Sequence, residues 1–144
     1  MRFRSWLLVM VQFICLGIFL FTGPFIVHNR FAFITEIFSF FLGMWAIVAM
    51  RTSKLSIFPD VRDGAALISK GPYRFIRHPM YLAVILFTIS LLINYFTYLR
   101  LMVFILLLAD LLLKIEFEEK KLNHAFGEYD QYKKQSVKLI PFIY

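Results

Sequence analysis

Two arginines, a histidine and two tyrosines crowd into Gly71-Pro72-Tyr73-Arg74-Phe75-Ile76-Arg77-His78-Pro79-Met80-Tyr81, immediately before an apolar run. Charge beside lipid is costly, and anchoring a helix needs only a Lys or an Arg or two. This density points instead to binding chemistry. Guanidiniums suit a carboxylate, an imidazole suits a hydrogen bond or a proton, and phenol rings suit a cation or a flat heterocycle. Glu116, Glu118 and Glu119 form a second polar group further along the chain.

The elements that must position these groups are membrane helices. Of 144 residues, 60% are hydrophobic and 18 are Phe, and the mean hydropathy is +0.72. These values lie beyond the usual globular range and predict an all-α integral membrane protein of one small domain. Four stretches approach the ~20 residues needed to cross a bilayer: 6–27, 31–50, 76–93 and 99–115. The first carries Gly23-Pro24 near its end and no small-x-small cleavage site, so it reads as a retained helix rather than a signal peptide.

Short connectors, His28-Asn29-Arg30 and Asn94-Tyr95-Phe96-Thr97-Tyr98, predict two antiparallel hairpins. The domain 1–144 then divides into an N-terminal hairpin (1–50), a loop rich in turn formers that carries the motif (51–78), and a C-terminal hairpin with an amphipathic tail (79–144). The fourth helix is expected to continue through Glu116-Phe117-Glu118-Glu119-Lys120-Lys121-Leu122, with Gly127 as its stop.

With four crossings, 14 Lys and Arg fall on one side and 2, Arg30 and Arg100, on the other. The positive-inside rule then puts both termini and the 51–78 loop in the cytoplasm. The net charge of +7 fits anionic lipid headgroups as partners. Nucleic acid is set aside, because nearly every apolar residue is committed to the membrane. Cys15 is alone, which excludes an internal disulfide, and reads as a packing residue.

If the second hairpin turns near Phe96 or Thr97, equal rise on both arms puts residues whose numbers sum to about 193 at one depth. Arg77 then lies level with Glu116, and Arg74 level with Glu119, to within about one turn. Pro79 is expected to start the third helix. The cytoplasmic mouth of the bundle would gather guanidiniums, an imidazole, carboxylates and tyrosines.

The stretch from Leu67 to Leu82, with Arg77-His78-Pro79-Met80-Tyr81 at its heart, strongly resembles the motif of the isoprenylcysteine carboxyl methyltransferase and phospholipid methyltransferase superfamily. Glu118-Glu119-x-x-Leu122 resembles that family's second hallmark, and Phe126-Gly127-x-Tyr129-x-x-Tyr132 followed by Pro141 resembles its tail. Ala83 departs from the pattern, because many members carry Gly there, and wider helix packing is expected at that point. The resemblance covers 67–144, and the N-terminal half shows no motif that can be carried over.

The resemblance implies S-adenosyl-L-methionine as cofactor and a lipophilic or lipidated substrate. On that reading Arg77 and His78, beside Pro79, would take the cofactor's carboxylate. Glu118 or Glu119 would accept from its ammonium or ribose, and Tyr73 or Tyr81 would face the sulfonium or stack on adenine. If the nucleophile is a carboxylate, Arg74 or Arg77 would hold it and no base is needed. An amine nucleophile would require Glu116 or Glu119 as base. No metal is implied.

Blander readings compete at each position. The arginines alone would be membrane anchors, a lone histidine usually braces a helix end, and Glu118 with Glu119 beside Lys120 and Lys121 would be a solvated face. Asp110 and Glu36 are ionisable groups in apolar segments, where pairing with an Arg is the structural reading of Asp110 and nearness to the loop that of Glu36. At the level of function, isoprenylcysteine-type carboxyl O-methylation competes with N-methylation of an amino phospholipid headgroup. An NADPH-dependent sterol-type reductase, suggested by the ending Ile140-Pro141-Phe142-Ile143-Tyr144, and a non-catalytic scaffold are the other classes.

Overall fold

A computed structural model of the chain describes residues 2–24, 27–51 and 67–140. Five α-helices are present among them, and no strand. They are α1 (Arg2–Phe21), α2 (Arg30–Met50), α3 (Pro79–Asn94), α4 (Tyr98–Ala125) and α5 (Tyr129–Gln135), with a 3-10 turn at Gly71–Arg74. The turn-rich segment 52–66, Pro141 and the ending 141–144 lie outside the described residues.

Local chemistry sets the helix ends. Asn29 caps α2 by accepting from the backbone N–H of Phe31 at 3.0 Å, and Thr97 caps α4 by accepting from the Arg100 N–H at 3.2 Å. Pro79 occupies the first turn of α3, where its missing N–H costs nothing. As the charge pattern predicts, α4 runs on past the apolar stretch, and its 28 residues give it a length of about 42 Å.

The first helix corrects the expected 6–27 span, since α1 ends at Phe21. The Thr22 hydroxyl turns back onto the Ile18 carbonyl at 2.6 Å, and Gly23-Pro24 follows. Two helices, Arg4–Phe21 and Arg30–Met50, are long and apolar enough to cross a membrane. α3 has only 16 residues, about 24 Å of helix, and α4 carries Arg100, Asp110 and Lys114 along its apolar length.

Packing also differs from a pair of self-contained hairpins. α2 lies along α3, and α1 lies along α4. The core where they meet includes Cys15, Phe19, Leu42, Leu91, Leu107 and Leu111. At the α2–α3 contact, a Cβ placed on Gly43 would lie 3.5 Å from the Ala83 Cβ, ordinary van der Waals contact, so the two helices leave room there for a further side-chain carbon. Gly71 has φ +60 and sits against Trp45 and Ala49 of α2. Only glycine takes that backbone at that distance without strain, so the motif is docked directly on α2.

Arg100 joins the far ends of the helices and is fully buried. Its guanidinium donates to the Phe19 carbonyl at 2.8 Å, the Thr22 hydroxyl at 3.1 Å, the Leu91 carbonyl at 2.9 Å and the Tyr95 carbonyl at 3.3 Å. These acceptors belong to the last turns of α1 and α3 and the residues beyond, where the helix dipole favours a cation, and the Leu91 carbonyl also accepts from the Tyr95 N–H at 3.1 Å. A Cβ at Gly23 would fall 2.5 Å from the guanidinium, which is why a glycine stands there. Arg100→Leu is expected to lower unfolding free energy in detergent by about 3 kcal/mol. Arg100→Lys should recover only part of it, since one ammonium cannot serve two helix ends in this geometry. Equal stability of Arg100→Leu and the parent in denaturant unfolding would contradict the clamp.

Candidate active site

The 3-10 turn at Gly71–Arg74 buries Pro72 and Tyr73 and leaves Arg74 exposed, its guanidinium 5.8 Å from the exposed Phe75 ring. Phe75 closes the turn in αR conformation, and Ile76 to His78 lead irregularly into α3. Ile76 forms a parallel bridge with Val137: the Arg77 N–H donates to the Val137 carbonyl, and the Val137 N–H donates to the Phe75 carbonyl, each at 2.9 Å. The tail after α5 is thereby strapped along the motif. Tyr132 adds a hydroxyl donated to the Tyr73 carbonyl at 2.5 Å.

Arg77 is the hub of this junction. Its Nε donates to Glu119 Oε1 at 2.8 Å, and its Nη1 donates to the carbonyls of Lys133, at 3.1 Å, and Ser136. One side chain therefore ties the motif to α4 and to the tail. Glu119 also has Lys138 within 3.8 Å.

His78 is buried between the two carboxylates, with Nδ1 3.5 Å from Glu118 Oε2 and Nε2 3.5 Å from Glu119 Oε1. The second approach lacks hydrogen-bond geometry, and Nε2 is a buried nitrogen without a hydrogen-bond partner. The Tyr81 hydroxyl donates to Glu118, and its ring stacks on the imidazole, 9° from parallel with centroids 5.6 Å apart. Buried Tyr129 lies beneath, also with no partner for its hydroxyl.

Electrostatics follow from this crowding. Burial disfavours a charged imidazole, but Glu118 and Glu119 outweigh it and raise the His78 pKa. Burial likewise opposes ionisation of Glu119, yet His78 and Arg77 prevail and hold its carboxyl down at about 2.

Tyr73, Arg77, His78, Pro79, Tyr81, Glu118 and Glu119 are thus all at this junction, as the sequence predicts. Arg74 and Glu116 are not drawn in, because both side chains are exposed. The expected levels, Arg77 with Glu116 and Arg74 with Glu119, shift by about one turn to Arg77 with Glu119. Side chains on antiparallel helices lean toward opposite N-termini, so deeper α3 residues meet later α4 residues. Sequence reasoning missed the Val137 bridge and the buried Lys114, although Lys114 stands four residues before Glu118 and so on the same helix face.

The model of the isoprenylcysteine carboxyl methyltransferase (ICMT) family matches residues 30–124, more than half of the chain. The chain belongs to that family. The matched region contains α2, the motif, α3 and nearly all of α4, and membership makes this a membrane methyltransferase. Comparison with curated proteins gives no match.

Because the Glu119 carboxyl is depressed, its contribution to stability is present above the ordinary carboxylate value of 4.5 and is lost as pH falls toward about 2. Acid unfolding should show this window in the parent, and Glu119→Gln should lose stability less steeply across it. Identical slopes in the two proteins would contradict the pairing.

Proposed function

We propose that the chain is a single-domain integral membrane methyltransferase that uses S-adenosyl-L-methionine to methylate a lipophilic substrate at the cytoplasmic interface. We read four crossings, with both termini and the 51–78 loop cytoplasmic. The charges on α4 support this reading, since Arg100, Asp110 and Lys114 are all buried inside the bundle while Met102, Ile105, Leu106 and Leu113 of the same helix face outward.

The observation that carries the cofactor reading is the pair of unsatisfied buried atoms, His78 Nε2 and the Tyr129 hydroxyl, beside two carboxylates in the family's motif. Buried polar atoms without partners are expected where a ligand completes the bonding. The residues present fit the cofactor. His78 would meet its carboxylate, Glu118 its ammonium or ribose hydroxyls, and the Tyr81 face its sulfonium or adenine. Arg77 already spends two of its nitrogens on Glu119, Lys133 and Ser136, so its role is chiefly to position this wall.

The bound cofactor supplies an electrophilic methyl group on a cationic sulfur. The protein aligns the acceptor with that methyl, and a closed tail excludes water. No covalent enzyme intermediate is required. Isoprenylcysteine-type carboxyl O-methylation is the favoured reaction. N-methylation of an amino phospholipid headgroup is its competitor. Two carboxylates at the junction oppose the phosphates of NADPH, which counts against a reductase.

Calorimetry on the purified chain tests this directly. S-adenosylhomocysteine should bind and NADPH should not. His78→Ala and Glu118→Gln should weaken S-adenosylhomocysteine about tenfold or more, while Arg74→Ala and Glu116→Gln change it by less than about threefold. No S-adenosylhomocysteine binding by the parent, or NADPH binding in its place, would overturn the proposal.

A further inference from the structure

Lys114 stands between two carboxylates of its own helix and is in close contact with neither. The lysine is 3% exposed. Asp110 lies one turn before it and Glu118 one turn after it on α4, and both charges act on the ammonium, Glu118 the more strongly. Among the described residues neither carboxylate comes within ion-pair distance of it. The close partner comes from α1 instead. Lys114 Nζ donates to Gln12 Oε1 at 2.6 Å and lies 5.0 Å from the centroid of the Tyr81 ring.

This arrangement matters for Glu118. Its Oε1 accepts from the Tyr81 hydroxyl, and its Oε2 lies 3.5 Å from His78 Nδ1. A lysine and a glutamate four residues apart on a helix are at pairing distance, and in a partly buried setting their attraction is stronger than at a surface. A closed Lys114–Glu118 pair would cancel the charge of Glu118 and occupy its lone pairs. The bond to Gln12 opposes that closure, and the Tyr81 face receives the ammonium in the held position. A neutral amide suits the task, since it offers an oxygen without adding a third negative charge to the column.

Resting on the methyltransferase reading, we propose that Gln12 is a positioning residue for the cofactor site, which tethers Lys114 against Tyr81 and so keeps Glu118 free to meet the cofactor. The tether comes from a helix outside the matched region 30–124, so α1 serves the site as well as packing against α4.

S-adenosylhomocysteine affinity of the full chain in nanodiscs tests this. Gln12→Met should weaken binding about tenfold, and Gln12→Glu, which keeps the acceptor oxygen, by less than about threefold. Removing the released lysine should relieve the defect, so Gln12→Met combined with Lys114→Met should bind about fivefold more tightly than Gln12→Met alone. Simple loss of α1 packing predicts the reverse, because a second core substitution adds to the first. Thr22→Val, which weakens the hold of Arg100 on α1 without touching this column, should change affinity by less than about twofold. Unaltered binding in Gln12→Met, a double variant no tighter than Gln12→Met, or an equal loss in Thr22→Val would overturn the assignment, while leaving the methyltransferase reading intact. A parent that binds no S-adenosylhomocysteine would overturn that reading and the positioning role with it, so the two failures are distinguishable.

Discussion

Everything at the junction of the motif, α4 and the tail depends on the pairing of Arg77 with Glu119. The two residues are far apart in sequence, and their 2.8 Å contact fixes the start of α3 against the end of α4. The same guanidinium reaches the carbonyls of Lys133 and Ser136, which brings the tail over the motif. A charged pair in partial burial is favourable only when its remaining donors and acceptors are satisfied. The tail carbonyls and Lys138 meet that condition, and Glu118 and Tyr81 lie beside the pair.

A second guanidinium sets the other end of the bundle. Arg100 gathers carbonyls from α1 and α3 at the point where both helices stop. The protein is therefore pinned by one arginine at each end of α4, with an apolar core between them. Lys114 interrupts that core on the side of Tyr81 and Gln12. One long helix thus carries the clamp, a buried lysine and the carboxylates Glu118 and Glu119 in succession.

Much of the site was legible in the sequence, because spacing around a short connector dictates which residues of α3 and α4 share a level. Residues 77–81 and 118–119 were expected to meet, and they do. The observed pairing lies about one turn from the Cα count, within the turn allowed for it, because the side chains lean along the helices. Arg100 was read as an external charge, since its burial depends on α1 stopping at Phe21, which apolar content alone does not reveal. Connector length also says nothing about which helices pack, so the pairing of α1 with α4 and of α2 with α3 was hidden. The bridge from Ile76 to Val137 has no sequence signature, because a single extended contact carries no periodicity.

Arg77 and Glu119 are proposed to act as one unit in building the wall that would hold the cofactor. A double-mutant cycle on S-adenosylhomocysteine affinity, using Arg77→Met, Glu119→Gln and the pair together, tests it most directly. The account predicts strong non-additivity, with the double variant binding about as weakly as the worse single variant. Additive losses would show that the two residues serve the ligand independently and would contradict the account.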